Sequence, residues 1–270
     1  MSMTEIIAHR GARSLAPENT LAAAKTAWQS GAHRWETDIQ VTRDGHLVLF
    51  HDAGLLRCTN AKIWFTHLPS DDRRKFFLSQ FTLAQLKELD AGSWFEKTDP
   101  FSTIQMGYVT QQTLAGFAAE KIPTLEEGLL LTKSLDWQIN LELKDHGTDP
   151  VFFHTVDTTL AAVEATAIPV GKVVVSSFNH EWLDRVRRLR PDIHIQALLG
   201  ESADDMRNFT PGRFSAYNIN ADLVDISFVQ HLVTQGFEVN LFTVNDPDTA
   251  AMFIQAGAKG IITDFPQLLT

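Results

Sequence analysis

Short apolar, β-branched runs alternate with longer amphipathic stretches along almost the whole chain, and this alternation limits the fold more than any other feature. The runs lie at Ile6–His9, Trp35–Val41, Gln138–Glu142, Lys172–Ser176, His194–Leu198, Ala216–Ile219, Glu238–Thr243 and Gly260–Thr263. Between most of them, Asn19–Gln29, Thr124–Lys133, Val151–Ala165, Glu181–Leu189, Ser227–Thr234 and Pro247–Gln255 carry apolar residues at helical spacing. Three of these stretches run into glycine, at Gly31, Gly236 and Gly257, the residue favoured just past a helix C-terminus. Repeated strand–helix units build a parallel sheet with helices outside it. Eight such strands in 270 residues favour an α/β fold of the TIM type, a closed (β/α)8 barrel, over an open doubly wound sheet. A chain of this length buries about three quarters of its surface, enough for one large core.

The rhythm breaks once. From Ala53 to Lys121 no strand–helix unit is legible, and the sequence turns aromatic and turn-rich, as in Ile63-Trp64-Phe65, Phe76-Phe77-Leu78 and Gly92-Ser93-Trp94-Phe95. That is too long for a bare loop. An inserted subdomain, 53–121, is expected after an early strand of a single catalytic barrel spanning 1–270.

Charge narrows the partners. Lys plus Arg number 23 against 33 Asp plus Glu, a net charge of −10, whereas nucleic acid and anionic membranes are held by dense positive charge. Neither partner is expected. The most basic stretch, His180–Pro191, has Glu181 four residues before Arg185 and Asp184 four before Arg188, the spacing of intrahelical ion pairs on a solvated face. No run of about 18 apolar residues is present to span a membrane, and the opening Met-Ser-Met-Thr-Glu lacks the regions of a secretory leader. Cys58 is the sole cysteine, so no disulfide forms within the chain. A soluble cytoplasmic protein without stable membrane insertion is expected. A homodimer is compatible with the sequence but not required by it.

Three segments carry chemistry. In His33–Asp52, strand alternation puts Glu36, Asp38 and Gln40 on one face. Asp44-Gly45 between two β-rich runs signals a two-residue hairpin. Centring the turn there sets Asp38 opposite His51, with Glu36 adjacent. In Asn140-Leu141-Glu142-Leu143-Lys144, Glu142 and Lys144 share a face near a strand's C-terminal end, where barrel enzymes collect catalytic groups. In Ile7-Ala8-His9-Arg10-Gly11 a strand runs directly into two basic residues and a glycine. Each segment alone has a plainer explanation: solvated hairpin charges, a strand-end salt bridge, a structural histidine.

Together they converge. Glu36, Asp38 and Glu142 offer only oxygen ligands, which favours Mg²⁺ or Ca²⁺ over a thiolate-type zinc site. His9 and His51 suit a division of general acid and general base work near neutral pH. Arg10 and Lys144 add positive charge in an acidic protein. Hydrolysis of an anionic phosphodiester needs this combination. No GxxxxGK[ST] loop is present, and no Ser–His–Asp spacing compels an acyl mechanism.

At this point the chain resembles the glycerophosphodiester phosphodiesterases of the bacterial cytoplasmic type. The matching motifs are His9-Arg10-Gly11, Pro17-Glu18-Asn19-Thr20, Glu36-Thr37-Asp38, Asp44-Gly45, His51-Asp52, Ile122-Pro123-Thr124-Leu125, Glu142-Leu143-Lys144, Ser177-Phe178-Asn179 and Gly260-Ile261-Ile262-Thr263-Asp264. They span nearly the whole chain in the family's order. The resemblance implies a TIM-type barrel with an insert after His51-Asp52 and a divalent cation on Glu36, Asp38 and Glu142. It also implies acid/base work by His9 and His51, phosphate contacts from Arg10 and Lys144, and a small glycerophosphodiester as substrate. Phe242, Lys259 and Cys58 depart from the family's usual tryptophan, aspartate and threonine. They leave every implied catalytic group in place but bear on the choice of alcohol; Cys58 is expected to be a packed loop thiol. Two other readings stay open: a lysophospholipase D type enzyme on the same barrel, and a catalytically inactive phosphate-binding module. The insert, starting one residue after the His51-Asp52 motif, is expected to cap the pocket. Most of its aromatics are expected in a small core of their own, with one or two facing the mouth.

Overall fold

Hydrogen bonds followed around the sheet return to their starting strand. The strands are β1 (Glu5–Ala8), β2 (Arg34–Val41), β3 (Leu47–Leu49), β4 (Ile139–Leu143), β5 (Val173–Ser177), β6 (His194–Leu199), β7 (Ala216–Asn220), β8 (Glu238–Phe242) and β9 (Gly260–Thr263). All but β3 run parallel, and β1 pairs with both β2 and β9, which closes an eight-stranded barrel. The computed structural model describes residues 4–68, 72–118, 120–146, 154–207 and 209–270. Each expected strand is present within two residues of its expected bounds. The helices Leu21–Gln29, Leu125–Ser134, Thr155–Thr166, His180–Leu189, Ile226–Thr234 and Pro247–Gln255 also fall where expected, although residues 151–153 of the expected Val151–Ala165 helix lie outside the described residues. Side chains of Thr20, Thr124, Asn179, Asp225 and Asp246 accept backbone N–H groups at five helix starts. Gly31, Gly236 and Gly257 all take positive φ just past helix ends. A short helix after β6, Ala203–Arg207, is too brief to show a period in the sequence.

The two faces of the barrel wall differ in kind. Outward residues such as Trp35, Ile39, Leu141, Val175, Ile219, Leu241 and Ile261 are buried against the helices in one large apolar core. The alternate, inward residues include Arg34, Glu36, Asp38, Asn140, Glu142, Ser176, Gln196, Asn218 and Asn240, all buried. Branched apolar residues usually fill such an interior. Here it is polar.

Two sequence expectations are corrected. The hairpin β2–β3 pairs Ile39 with Leu49 and Val41 with Leu47, and Phe50 N–H bonds Asp38 O. The loop therefore has three residues, Arg43–Gly45, with Gly45 at φ +83°, a left-handed position that such loops require. Phe50, not His51, stands opposite Asp38. On the helix His180–Leu189, Arg185 pairs with Asp157 at 2.8 Å rather than Glu181. Asp184 pairs with Arg187 and Arg213, and Glu181 with Arg213. The face is solvated as expected, but its acids are shared with neighbouring elements instead of Arg185 and Arg188.

The described residues of 53–121 form short helices and turns, the longest helix among them being Gln111–Phe117. Phe65, Phe76 and Phe81 pack with Leu55, Cys58 and Leu86 into one small core that also takes Val48 and Phe50 from the hairpin. Phe65 stacks on Phe81 at 4.4 Å between ring centroids. Phe95 and Phe117 join Ala16 and Ala23 in a second core. Cys58 is a packed thiol whose pKa burial pushes well up. Among the described residues no helix is long and apolar enough to cross a membrane.

Candidate active site

The site is built where β1, β2 and β4 end. After Ala8 the chain turns through His9, Arg10 and Gly11, with Arg10 itself in the left-handed region at φ 54°. That conformation is costly for a residue with a side chain, and here it aims the Arg10 N–H at Glu36 Oε2, 2.9 Å away. Gly11 follows because nothing larger fits: a Cβ there would lie 2.6 Å from the Ala23 carbonyl carbon. The Arg10 guanidinium donates to Glu18 Oε1 at 3.0 Å and lies 3.4 Å from Asp38 Oδ2.

Glu36, Asp38 and Glu142 point inward from neighbouring strands, with Asp38 directly opposite Glu142. One carboxylate oxygen from each lies within 4.8 Å of the others, and all three residues are buried. Burial and the charges of Asp38 and Glu142 raise the Glu36 pKa well above the usual carboxyl range. Burial acts on Asp38 as well, but Lys144, Arg10, His51 and the Asn19 amide outweigh it and hold Asp38 well below. Lys144 Nζ lies 2.9 Å from Asp38 Oδ1 and also contacts Glu142. Glu36 Oε1 is buried and accepts no hydrogen bond from the protein. An oxygen-only, anionic, buried cluster with an unpartnered oxygen fits a hard divalent cation.

Each histidine is held by a carboxylate. His9 Nδ1–H donates to Asp264 Oδ1 at 2.7 Å, and Asn245 Nδ2 donates to Asp264 Oδ2 at 2.8 Å. Burial and then Arg10 lower the His9 pKa, which Asp264 only partly offsets. Burial raises the Asp264 pKa, but His9, Arg13 and Asn245 bring it down to about 2. His51 Nδ1–H donates to Asp52 Oδ1 at 2.7 Å. Arg57 bridges Asp52 and Glu18, at 2.7 Å to each. His51 reaches the site beyond the end of β3, where Gln40 Nε2 donates to the carbonyls of His51 and Asp52.

All seven expected site residues therefore converge. His9, Arg10, Glu36, His51, Glu142 and Lys144 line one cavity of about 280 Å³. Asp38 lies just behind its wall, bonded to Arg10, Lys144 and Asn19. Sequence reasoning missed the supports. Asn19, at φ 57°, donates to Asp38 Oδ2 at 2.8 Å and accepts from Thr37 Oγ1 and Asp38 N. Glu18 gathers Arg10, Arg13 and Arg57, which bring its pKa to about 2 against the upward push of burial. The motifs containing Glu18, Asn19 and Asp264 were visible, but nothing local revealed their partners. A second miss concerns the insert: the cavity's aromatic lining is Phe178 and Phe242, from the ends of β5 and β8, and among the described residues none of 53–121 lines it. Phe65, Phe76, Phe81 and Phe95 of the insert lie in its own cores, while Trp64 and Phe77 are exposed; Arg57 is a polar link from the insert to the site.

Three carboxylates, two histidines and two cations thus gather at one end of a closed parallel barrel, the end at which TIM-barrel enzymes carry their active sites. The chain belongs to the glycerophosphoryl diester phosphodiesterase family, whose model matches residues 9–268. It is 31% identical over 268 residues to a glycerophosphodiester phosphodiesterase of Caldanaerobacter subterraneus, covering 98% of this chain and 96% of the relative. It is 28% identical over 270 residues to one from Bacillus subtilis, covering 97% and 84%. The structure also resembles an Oleispira antarctica phosphodiesterase solved with the product sn-glycerol-3-phosphate. The TM-score is 0.76 at 26% identity, with 99% of this chain and 95% of that one covered.

Proposed function

We propose that the protein is a cytoplasmic, metal-dependent hydrolase that converts small glycerophosphodiesters to an alcohol and sn-glycerol 3-phosphate. The observation that carries this reading is the buried Glu36–Asp38–Glu142 cluster facing His9 and His51 across one cavity, with Arg10 and Lys144 beside it. The product named for the Oleispira antarctica structure supports the phosphate-bearing half. Glu36, Asp38 and Glu142 would hold Mg²⁺ or Ca²⁺, which when bound supplies Lewis-acid stabilisation of negative charge on the phosphate.

The chain's own residues do the rest. Arg10 and Lys144 attract and orient the phosphodiester. His9 is neutral near pH 7 because of its lowered pKa. With Nδ1 committed to Asp264, Nε2 is the nitrogen left to take the proton of the attacking oxygen. His51, with Nδ1 on Asp52, protonates the leaving alkoxide from its own Nε2. In this reading 1–270 is a single catalytic domain. The insert 53–121 reaches the site through Ala53, which lines an adjoining cavity with His51 and Asp52, and through Arg57, which fixes Asp52; a segment placed there favours small diesters over acylated lipids.

The test is release of sn-glycerol 3-phosphate from glycerophosphocholine, glycerophosphoethanolamine, glycerophosphoglycerol and a lysophospholipid, with and without chelator. Turnover of the first three that disappears on chelation and returns with Mg²⁺ or Ca²⁺ is expected. Full activity in a metal-stripped protein would remove the cation from the reading, and preference for the lysophospholipid would move the substrate class.

A further inference from the structure

We propose that Glu18, acting through arginines rather than on the histidines directly, is a shared positioning residue that sets the His9 corner and the His51 corner in one geometry. The inference rests on the glycerophosphodiesterase reading above, in which the two histidines divide the acid and base work. The Glu18 side chain is only 3% exposed and meets three guanidinium groups. Oε1 accepts from Arg10 Nη1 at 3.0 Å and from Arg57 Nη2 at 2.7 Å. Oε2 accepts from Arg57 Nη1 at 2.9 Å and lies 3.3 Å from Arg13 Nη2.

Each arginine leads on to a different part of the site. Arg57 also donates from Nε to Asp52 Oδ2 at 2.7 Å and from Nη2 to Asp52 Oδ1 at 2.9 Å, and Asp52 holds His51. The planar fork of an arginine suits it to serve two carboxylates at once. Arg13 Nη1 lies 3.5 Å from Asp264 Oδ1, the same oxygen that accepts from His9 Nδ1. Arg10 reaches back through Nε to Asp38 Oδ2 at 3.4 Å. From one histidine to the other the path runs Asp264, Arg13, Glu18, Arg57, Asp52, and its charge alternates at every step. The centre of that path calls for a carboxylate. A neutral group there would leave three guanidinium charges converging in a poorly solvated space with nothing between them to offset their repulsion.

The backbone fixes this carboxylate independently of any substrate. Glu18 stands in the turn that leads into the helix Leu21–Gln29, and both residues after it are committed. Asn19 N–H donates to Arg10 O at 3.0 Å, and the Asn19 amide bonds Asp38. Thr20 Oγ1 donates to Pro17 O at 2.7 Å and accepts the Ala23 N–H at 3.1 Å. Burial pushes the Glu18 pKa up, but Arg57, Arg10 and Arg13 hold it at about 2, so its charge persists throughout the neutral range. A rigid, ionised carboxylate that spans both corners keeps the two rings at a constant separation, which a proton removed on one side of the phosphate and delivered on the other requires. Because Glu18 stands two groups away from each ring, its loss should misalign the pair rather than abolish it.

The experiment replaces Glu18 with glutamine and takes two readings from the full chain with metal supplied. One is kcat on glycerophosphocholine; the other is the ring-nitrogen NMR shifts of His9 and His51, which report tautomer and the Nδ1–H bond. Glu18→Gln should lower kcat by about 10- to 100-fold, the range for a partner standing behind a functional group, and should move the shifts of both rings. Arg13→Met should move those of His9 alone, and Arg57→Met those of His51 alone. Glu18→Asp keeps the charge but is one methylene short, so it should fall between wild type and Glu18→Gln in both readings. It decides the matter if Glu18→Gln does not fold, and unmoved rings in Glu18→Asp would then overturn the proposal. Wild-type kcat in Glu18→Gln overturns it, as does lost activity with both rings unmoved. Movement of one ring alone confines Glu18 to one corner and overturns the shared role. A wild-type protein that releases no sn-glycerol 3-phosphate from any glycerophosphodiester would overturn the phosphodiesterase reading, while paired shifts in Glu18→Gln would still register its hold on both rings.

Discussion

His9 and His51 face one cavity from supports of opposite character. His9 and its partner Asp264 are side chains only 13% and 7% exposed. They are locked at the ends of adjacent strands β1 and β9, with Asn245, just after β8, donating from Nδ2 to Asp264 Oδ2 and accepting the Asp264 backbone N–H at Oδ1. His51 and Asp52 are 31% and 30% exposed and depend on Arg57, a side chain of the insert. One proposed acid/base group is thus fixed by the barrel itself and the other by a segment added to it. The barrel-held pair is mostly buried and shifted toward the neutral imidazole, the form that the proposed base needs. The insert-held pair is more open to solvent, as the proposed acid needs in order to serve a departing alcohol.

Removing the rings tests whether both corners are catalytic. His9→Ala and His51→Ala should each lower kcat by about 10²–10⁴-fold, the usual worth of positioned acid/base catalysis, with the fold intact by circular dichroism. A change confined to KM would make either residue a binding group instead.

Removing the carboxylates tests whether the two corners differ. Asp264→Asn should cost up to about 10⁴-fold in kcat, the loss seen when a carboxylate that orients a catalytic histidine becomes an amide, because no water replaces it in a buried frame. Asp52→Asn should cost less, since water and Arg57 remain at its more exposed corner. Equal losses in steady-state kinetics would erase the distinction.

The pH profile sharpens it further. Burial and Arg10 lower the His9 pKa, so kcat/KM should fall on an acid limb lying below the ordinary histidine value of about 6.5, as His9 takes up its proton. Asp264 raises that pKa. Asp264→Ala should therefore move the limb to still lower pH while reducing the maximum. Stability follows the opposite group. Asp264 titrates at about 2 in the folded protein, below its ordinary range. Its contribution is complete above pH about 4 and is lost as pH falls through about 2, which acid unfolding of Asp264→Asn beside wild type would register.

The smallest effect belongs to the insert's interior. Cys58 is buried in the first insert core and its thiol is shifted upward by burial and by Glu18. Thiol reagents at pH 7–8 should leave the native protein unlabelled and fully active, with labelling appearing only on denaturation. Rapid labelling of the active enzyme would show that the insert opens during turnover.

How much of this was legible in sequence follows from how far each interaction reaches along the chain. The barrel was legible because its signal is local and repeated: β-branched runs, helical spacing beginning at Asn19, Thr124 and Pro247, and glycines at 31, 236 and 257. Strand alternation likewise put Glu36 with Asp38, and Glu142 with Lys144, on one face, since side chains two apart in a strand point the same way. What the tertiary structure decided is everything that depends on closure and register. His9 meets Asp264 across 255 positions of chain, a contact that exists only because β1 and β9 are neighbours in a closed barrel. The hairpin slipped by one residue because a three-residue loop with left-handed Gly45 replaced the two-residue turn, and His51 arrived by a different route, over Gln40. Asn140, Ser176 and Asn218 read as ordinary strand residues until closure turns them toward one another. Local propensity and periodicity are written in neighbouring residues; which groups share a buried space is set by packing, and no short window of sequence contains it.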